Sequence, residues 1–209
     1  MELKGVKNII FDLGGVIINL NQDLTHQAFQ NLFSSNINQL TEQVDKDNWL
    51  ERFELGEFSS NVFLEYFKKF NPNVLTQQLS NAWNSMLLDI PKERIALIQK
   101  LAKKYNVFLL SNTNEIHYSF IEQYVKQHFE ELDFNTIFKK VYLSYQLNLR
   151  KPNKSIFEFV LNDANLIAQE TLFIDDTLEH INTAKQLGIQ THHLNLRENQ
   201  NINQLLNEY

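Results

Sequence analysis

The chain has 209 residues, 43% of them hydrophobic and 21% charged, with a formal net charge of −6 from 25 acids and 19 bases. This is the composition of a globular protein large enough for one sizeable core and a small second lobe, and it excludes disordered and fibrous classes. There is no basic cluster to hold nucleic acid or an anionic membrane, no cysteine for a disulfide, thiolate metal site or nucleophile, and no apolar run near the roughly 20 residues of a membrane span.

In chain order, the first element is Asn8-Ile9-Ile10-Phe11-Asp12-Leu13-Gly14-Gly15-Val16-Ile17, an apolar run that ends on a carboxylate and turns through two glycines. It reads as a buried strand that delivers one acid to a sheet edge, with glycines that let the backbone bend and bring its N–H groups near an anion. From about Asn19 to Leu88 the pattern is helical. Leu24, Ala28, Phe29, Leu32 and Phe33 recur at helical spacing, and Leu40, Val44, Trp49, Leu50 and Phe53 do so with some slippage. Gly56 reads as a helix stop and Ser59 as an N-cap, before apolar stripes through Phe63, Leu64, Phe67 and Phe70 and through Leu75, Leu79, Trp83 and Met86. A helical block between two strand signals is an insertion in the sheet, so residues 19–88 are expected to form a cap and residues 1–18 with 89–209 the core.

Pro91, placed at a first helical position, opens a helix through Ile95, Ile98 and Leu101 that Lys103 and Lys104 close. Strands are then predicted at Asn106–Thr113, Lys139–Ser144, Thr171–Asp176 and Ile189–Leu194, with helices through Ile116 to Val125, Ile156 to Val160 and Ile181 to Leu187, the last stopping at Gly188. An Asn-rich tail and a weak last helix finish the chain. Strands alternating with helices predict an α/β fold, a Rossmann-like parallel sheet with helices on both faces.

In such sheets ligands bind beyond the carboxyl ends of the strands, where Asp12, Ser111-Asn112, Lys151 and Asp175-Asp176 all fall. Alone, Asp175-Asp176 or Ser111-Asn112 reads as a helix cap or turn. Together, carboxylates converging on one edge repel unless a cation lies between them, and carboxylate, carbonyl and water oxygens suit Mg²⁺. A lysine and a hydroxyl on that edge are donors for a phosphoryl group, and Asp12 can attack phosphorus and form an acyl phosphate.

The ordered set Phe11-Asp12-Leu13-Gly14-Gly15-Val16, Leu110-Ser111-Asn112-Thr113-Asn114, Arg150-Lys151-Pro152 and Phe173-Ile174-Asp175-Asp176, with a helical insertion after the first, resembles the haloacid dehalogenase (HAD) superfamily of aspartate-nucleophile phosphohydrolases. Tyr142-Leu143-Ser144, Leu149 and Gln186-Leu187-Gly188-Ile189 look most like its bacterial α-D-glucose-1-phosphate phosphatase type. The resemblance implies Asp12 as nucleophile and magnesium ligand, Gly14 as a carbonyl ligand, Asp176 as a direct ligand and Asp175 as an indirect one. It also implies Ser111 and Asn112 as phosphoryl binders and Lys151 as the neutralising cation.

Two positions depart from that pattern. Most members of the family place a second Asp two residues after the nucleophile to protonate the leaving group, and here that position is Gly14, as in the glucose-1-phosphate type. Without that acid, esters with poor leaving groups are expected to react more slowly than aryl or acyl phosphates. His180 stands where the family commonly has Asn, and it reads either as a helix-surface histidine or as an aid in orienting Lys151. The expectation is a cytoplasmic, Mg²⁺-dependent phosphatase of a small phosphorylated metabolite, with a sugar phosphate foremost. No nucleic-acid or membrane partner is expected, and the oligomeric state is left open, a monomer being allowed. The alternatives are a catalytically weak phosphate-ester binding or regulatory protein and, less favoured, a haloacid dehalogenase.

Overall fold

Asn8–Phe11, all four residues buried, form β1 at the centre of the computed structural model, which describes residues 3–129, 133–198 and 200–206. The chain continues through helices α1 (Gln22–Phe33), α2 (Ile37–Lys46), α3 (Trp49–Glu54), α4 (Ser60–Phe67) and α5 (Thr76–Asn84). It then passes through α6 (Lys92–Ala102), β2 (Asn106–Ser111), α7 (Glu115–His128) and the short α8 (Phe134–Ile137). Next come β3 (Lys140–Leu143), the short α9 (Ser144–Leu147), α10 (Lys154–Asp163), β4 (Thr171–Asp175), α11 (Leu178–Gln186), β5 (Gln190–His193) and α12 (Ile202–Leu206).

The strands form one parallel sheet in the order β3-β2-β1-β4-β5. Their alternation sorts side chains to two faces, as a two-residue period requires. Ile9, Phe11, Val107, Leu109, Leu172 and Ile174 pack with α6, α7 and α12 on one side. Ile10, Phe108, Leu110 and Phe173 pack with α10 and α11 on the other. Both faces are covered, which is why β1, β2 and β4 read as nearly continuous apolar runs. From β1 the sheet grows through β2 to β3 in one direction and returns to β4 and β5 in the other, so the strand order reverses between β1 and β4. That reversal opens a crevice at the carboxyl edge, and Asp12 and Asp175 stand on its two sides.

Helices α1 to α5 build a separate cluster around Phe29, Phe33, Phe53, Phe63, Phe67 and Leu79, which meets the core at Ile116. Phe53 and Phe63 stack with ring centroids 4.0 Å apart. Each is almost fully withdrawn from water, worth about 1.5–3 kcal/mol per ring. This is a helical cap inserted after the first strand. The chain enters and leaves it through a paired ribbon, with Asn19 N–H donating to the Asp89 carbonyl at 3.0 Å, Leu88 N–H to Asn19 at 3.0 Å and Asn21 N–H to Met86 at 2.9 Å.

Several boundaries differ from the sequence reading. The slippage after Val44 arises because α2 ends at Lys46 and Asn48, at φ 50°, restarts the chain as α3 in a new direction. Pro91 is the N-cap of α6, with the first helical residue at Lys92, because its ψ of 128° is extended. Strands β2, β3, β4 and β5 each end one or two residues earlier than predicted. Ser59 caps α4 through Val62 N–H as expected, and Gly56 and Gly188 take positive φ after α3 and α11. Of the Asn-rich tail, Asn199 and Asn207 lie outside the described residues. Among the described residues, no helix is long and apolar enough to cross a membrane.

Candidate active site

Asp12 follows β1 directly, and its N–H bonds the Ile174 carbonyl at 2.9 Å, so the sheet ladder still fixes its backbone. The next turn folds tightly on itself, with Gly15 N–H bonded to the Ile18 carbonyl at 2.9 Å. Gly15 has φ +71°, and a Cβ there would lie 2.6 Å from Asp176 Oδ2. Glycine is therefore needed twice over at this position, for the left-handed backbone and for the approach of Asp176, the acid just after β4.

Lys151, fully buried, ties the crevice together. Its Nζ lies 2.8 Å from Asp12 Oδ1, 2.7 Å from Asp175 Oδ2 and 3.0 Å from the Leu110 carbonyl, so its three donors are all satisfied. Burial alone would neutralise the ammonium, but Asp12 and Asp175 hold its pKa above the usual lysine value. Burial pushes the Asp12 carboxyl up, Asp175 and Asp176 add to the rise, and Lys151 opposes it. Asp175 behaves oppositely. Burial raises it, yet Lys151 and His180 together hold it below the ordinary carboxylate range.

Asp175 is saturated with donors, taking Thr177 N–H at 2.7 Å on Oδ1 and His180 Nδ1 at 3.0 and 2.9 Å on its two oxygens, besides Lys151. Asp176 is held far more loosely, with Thr177 Oγ1 donating to Oδ1 at 3.5 Å, and burial with the neighbouring Asp175 raises its pKa. One carboxylate oxygen from each of Asp12, Asp175 and Asp176 lies within 4.8 Å of the others. An all-oxygen set with one weakly engaged acid fits Mg²⁺, which binds through one or two carboxylates and keeps several waters. His180 contacts Asp175 and reaches Lys151 only through it, so it is neither a bare surface residue nor a direct partner of the lysine.

The structure brings Ser111 and Asn112 to the end of β2, where both line the same cavity as Gly14. Ser111 Oγ donates to the Asn112 carbonyl at 3.3 Å. The Asn112 side chain does something the sequence did not reveal. Its Nδ2 donates to the Lys151 carbonyl at 2.8 Å and its Oδ1 accepts Lys151 N–H at 2.9 Å, so the amide clamps the lysine's backbone from both sides.

The cavity, about 330 Å³, lies between this edge and the cap. It is walled by apolar groups such as Leu13, Leu87 and Trp83, with Ser111 and Asn112 at one side and Glu54 from the cap. Sequence reasoning missed the groups that hold the cap down. Arg150 bonds Glu54 at 2.9 Å and Glu51 at 3.0 Å, and Asn148 Nδ2 donates to the Leu55 carbonyl at 2.7 Å. His117, buried under the cap, contacts the Trp83 carbonyl through Nε2 at 3.0 Å, and burial drives its pKa down to about 4. The signals available were Glu54 two residues before the helix-stopping Gly56 and Arg150 beside Lys151, but nothing local says that they meet.

A parallel sheet with its crevice roofed by an inserted helical cap, and with acids and a buried lysine at the carboxyl edge, defines a capped, Rossmann-like α/β protein with a candidate metal site. The chain belongs to the haloacid dehalogenase-like hydrolases, matching that family over residues 9–193. It is similar to D-ribitol-5-phosphate phosphatase of Bacteroides thetaiotaomicron, 33% identical over 189 residues that cover 89% of this chain and 90% of that protein. Among solved structures, a HAD family enzyme of Bacteroides thetaiotaomicron in complex with magnesium and inorganic phosphate is 35% identical, with a TM-score of 0.81 over 90% of this chain and 93% of that one. A predicted HAD-like family hydrolase of Porphyromonas gingivalis is 32% identical, with a TM-score of 0.80 over 90% of each chain.

Proposed function

We propose that this protein is a Mg²⁺-dependent phosphatase of a small phosphorylated metabolite, a sugar or polyol phosphate, working through an aspartyl-phosphate intermediate. The observation that carries the reading is the position of Asp12, 2.8 Å from a fully buried lysine on the crevice edge and ringed by two further acids. The similarity to a D-ribitol-5-phosphate phosphatase supports the substrate class.

In this reading an Asp12 oxygen attacks phosphorus. Asp12, the Gly14 carbonyl and Asp176, with Asp175 behind them, would hold Mg²⁺, which would supply charge neutralisation for the phosphoryl oxygens. Lys151 holds Asp12 in place and offsets the negative charge that accumulates in the transition state. The Ser111 hydroxyl donates a hydrogen bond to a phosphoryl oxygen. Asn112 serves the same group indirectly, by fixing Lys151. Residues 19–88 form the cap and residues 1–18 with 89–209 the core, the paired ribbon at the boundary acting as the hinge on which the cap closes and excludes water. The location is cytoplasmic.

The test is a panel of phosphate esters incubated with purified protein in Mg²⁺ and in EDTA. Phosphate release from sugar or polyol phosphates that stops in EDTA is expected. Binding of the esters without release would favour a regulatory protein, and release of halide from a haloacid would favour a dehalogenase.

A further inference from the structure

The position two residues after Asp12 is Gly14, so the proton for the leaving alcohol must come from elsewhere. Few titratable groups reach the cavity. Among the described residues lining it, His26 is exposed on α1, and His117 is committed through both ring nitrogens to Trp83 and Asn114. Glu54 remains. It lines the cavity that Gly14 and Ser111 also line, and Arg150, next to Lys151 in the chain, fixes its carboxyl through Oε2. The close packing of Gly56 on Tyr145, where a Cβ would fall 2.1 Å from the carbonyl oxygen, holds the end of α3 against the core.

We infer that Glu54, delivered by the cap, is the general acid and base of the reaction. The proposal rests on the phosphatase reading above. In the first step a bond forms between an Asp12 oxygen and phosphorus, and the bond between phosphorus and the ester oxygen breaks. The departing oxygen keeps the electron pair and takes the Glu54 proton, leaving as a neutral alcohol. In the second step the Glu54 carboxylate removes a proton from water as its oxygen attacks phosphorus. The bond to Asp12 breaks, inorganic phosphate leaves, and Glu54 is protonated again.

The groups facing Glu54 are Arg150 and Glu51, with Lys151 further off. Burial raises its pKa and outweighs the pull of Arg150, and the charge of a bound phosphate ester raises it further. The arrangement makes acid catalysis conditional on cap closure, because an open cap would carry the proton source away.

The experiment measures kcat/KM for p-nitrophenyl phosphate, whose leaving group needs no proton, and for a polyol phosphate, whose leaving group does. Wild type should show a shallow dependence on leaving-group acidity. Glu54→Gln should lose about 10²- to 10³-fold on the polyol phosphate and less than about tenfold on the aryl ester. Glu51→Gln, which disturbs the same arginine from outside the cavity, should change the ratio of the two rates far less than Glu54→Gln does. An equal loss on both esters in Glu54→Gln, or a rise in KM alone, overturns the proposal and leaves the phosphatase reading standing. Failure of wild type to release phosphate from any ester overturns both.

Discussion

Replacing Lys151 with methionine keeps much of the side-chain volume and removes the charge. In the wild type the ammonium, itself fully buried, compensates two carboxylates, Asp12 at 2.8 Å and Asp175 at 2.7 Å, and it satisfies the Leu110 carbonyl. Breaking a buried ion pair by deleting one partner costs about 3–5 kcal/mol, because the other charge is left buried and uncompensated. Here two acids lose their common cation, with Asp176 close by. For a chain of this length that corresponds to a fall in melting temperature of roughly 6–20 °C. Mg²⁺ should recover part of the loss, since a divalent cation among the same acids supplies the missing charge, so the variant's melting temperature should respond to Mg²⁺ more steeply than that of the wild type. Activity should stay at least about 10³-fold down even in saturating Mg²⁺. The assay is thermal unfolding in EDTA and in a Mg²⁺ series, with phosphate release measured alongside. A variant within about 1 kcal/mol of wild type in EDTA would refute the argument that this lysine holds the acids together.

Asp12→Asn should leave the fold intact and abolish turnover, and ester hydrolysis within roughly tenfold of wild type would remove the nucleophile. Asp176→Ala should need at least about tenfold more Mg²⁺ for half-maximal rate, with Asp175→Ala shifted less in Mg²⁺ dependence, as Mg²⁺ titration of both variants would show. The buried His117 gives the fold a pH dependence of defined sign. It is neutral in the folded state, where its pKa is about 4, and charges in the unfolded chain at about 6.5, so stability is full above 6.5 and declines as pH falls toward 4. The contribution is about 3 kcal/mol, and urea unfolding of His117→Gln between pH 7 and 4.5 should show a flatter profile than wild type.

The sheet and the crevice acids were legible in the sequence because each buried strand is a continuous apolar run that stops on a polar residue, as in Phe11-Asp12 and Ile174-Asp175. Local chemistry sufficed there. It failed where the decisive contact joins residues far apart. The Asn112 clamp on Lys151 spans 39 positions and the Glu54–Arg150 pair spans 96, and neither leaves a periodic trace. The break at Asn48 was visible only as slippage in the apolar spacing, since a single left-handed residue has no motif of its own. The weakest strand, β5, reads Gln190-Thr191-His192-His193 and is half-buried throughout because it forms the sheet edge.

The proposed mechanism requires that Asp12 itself carry the phosphoryl group. Protein turning over an acyl or aryl phosphate with Mg²⁺ is quenched and treated with borohydride, which reduces an acyl phosphate to the alcohol, and the peptide containing residues 8–17 is read by mass spectrometry. Conversion of Asp12 to homoserine is expected in the presence of Mg²⁺ and substrate, and none in EDTA. Steady release of phosphate with Asp12 unmodified, or with the reduced carboxyl at another acid, would contradict it.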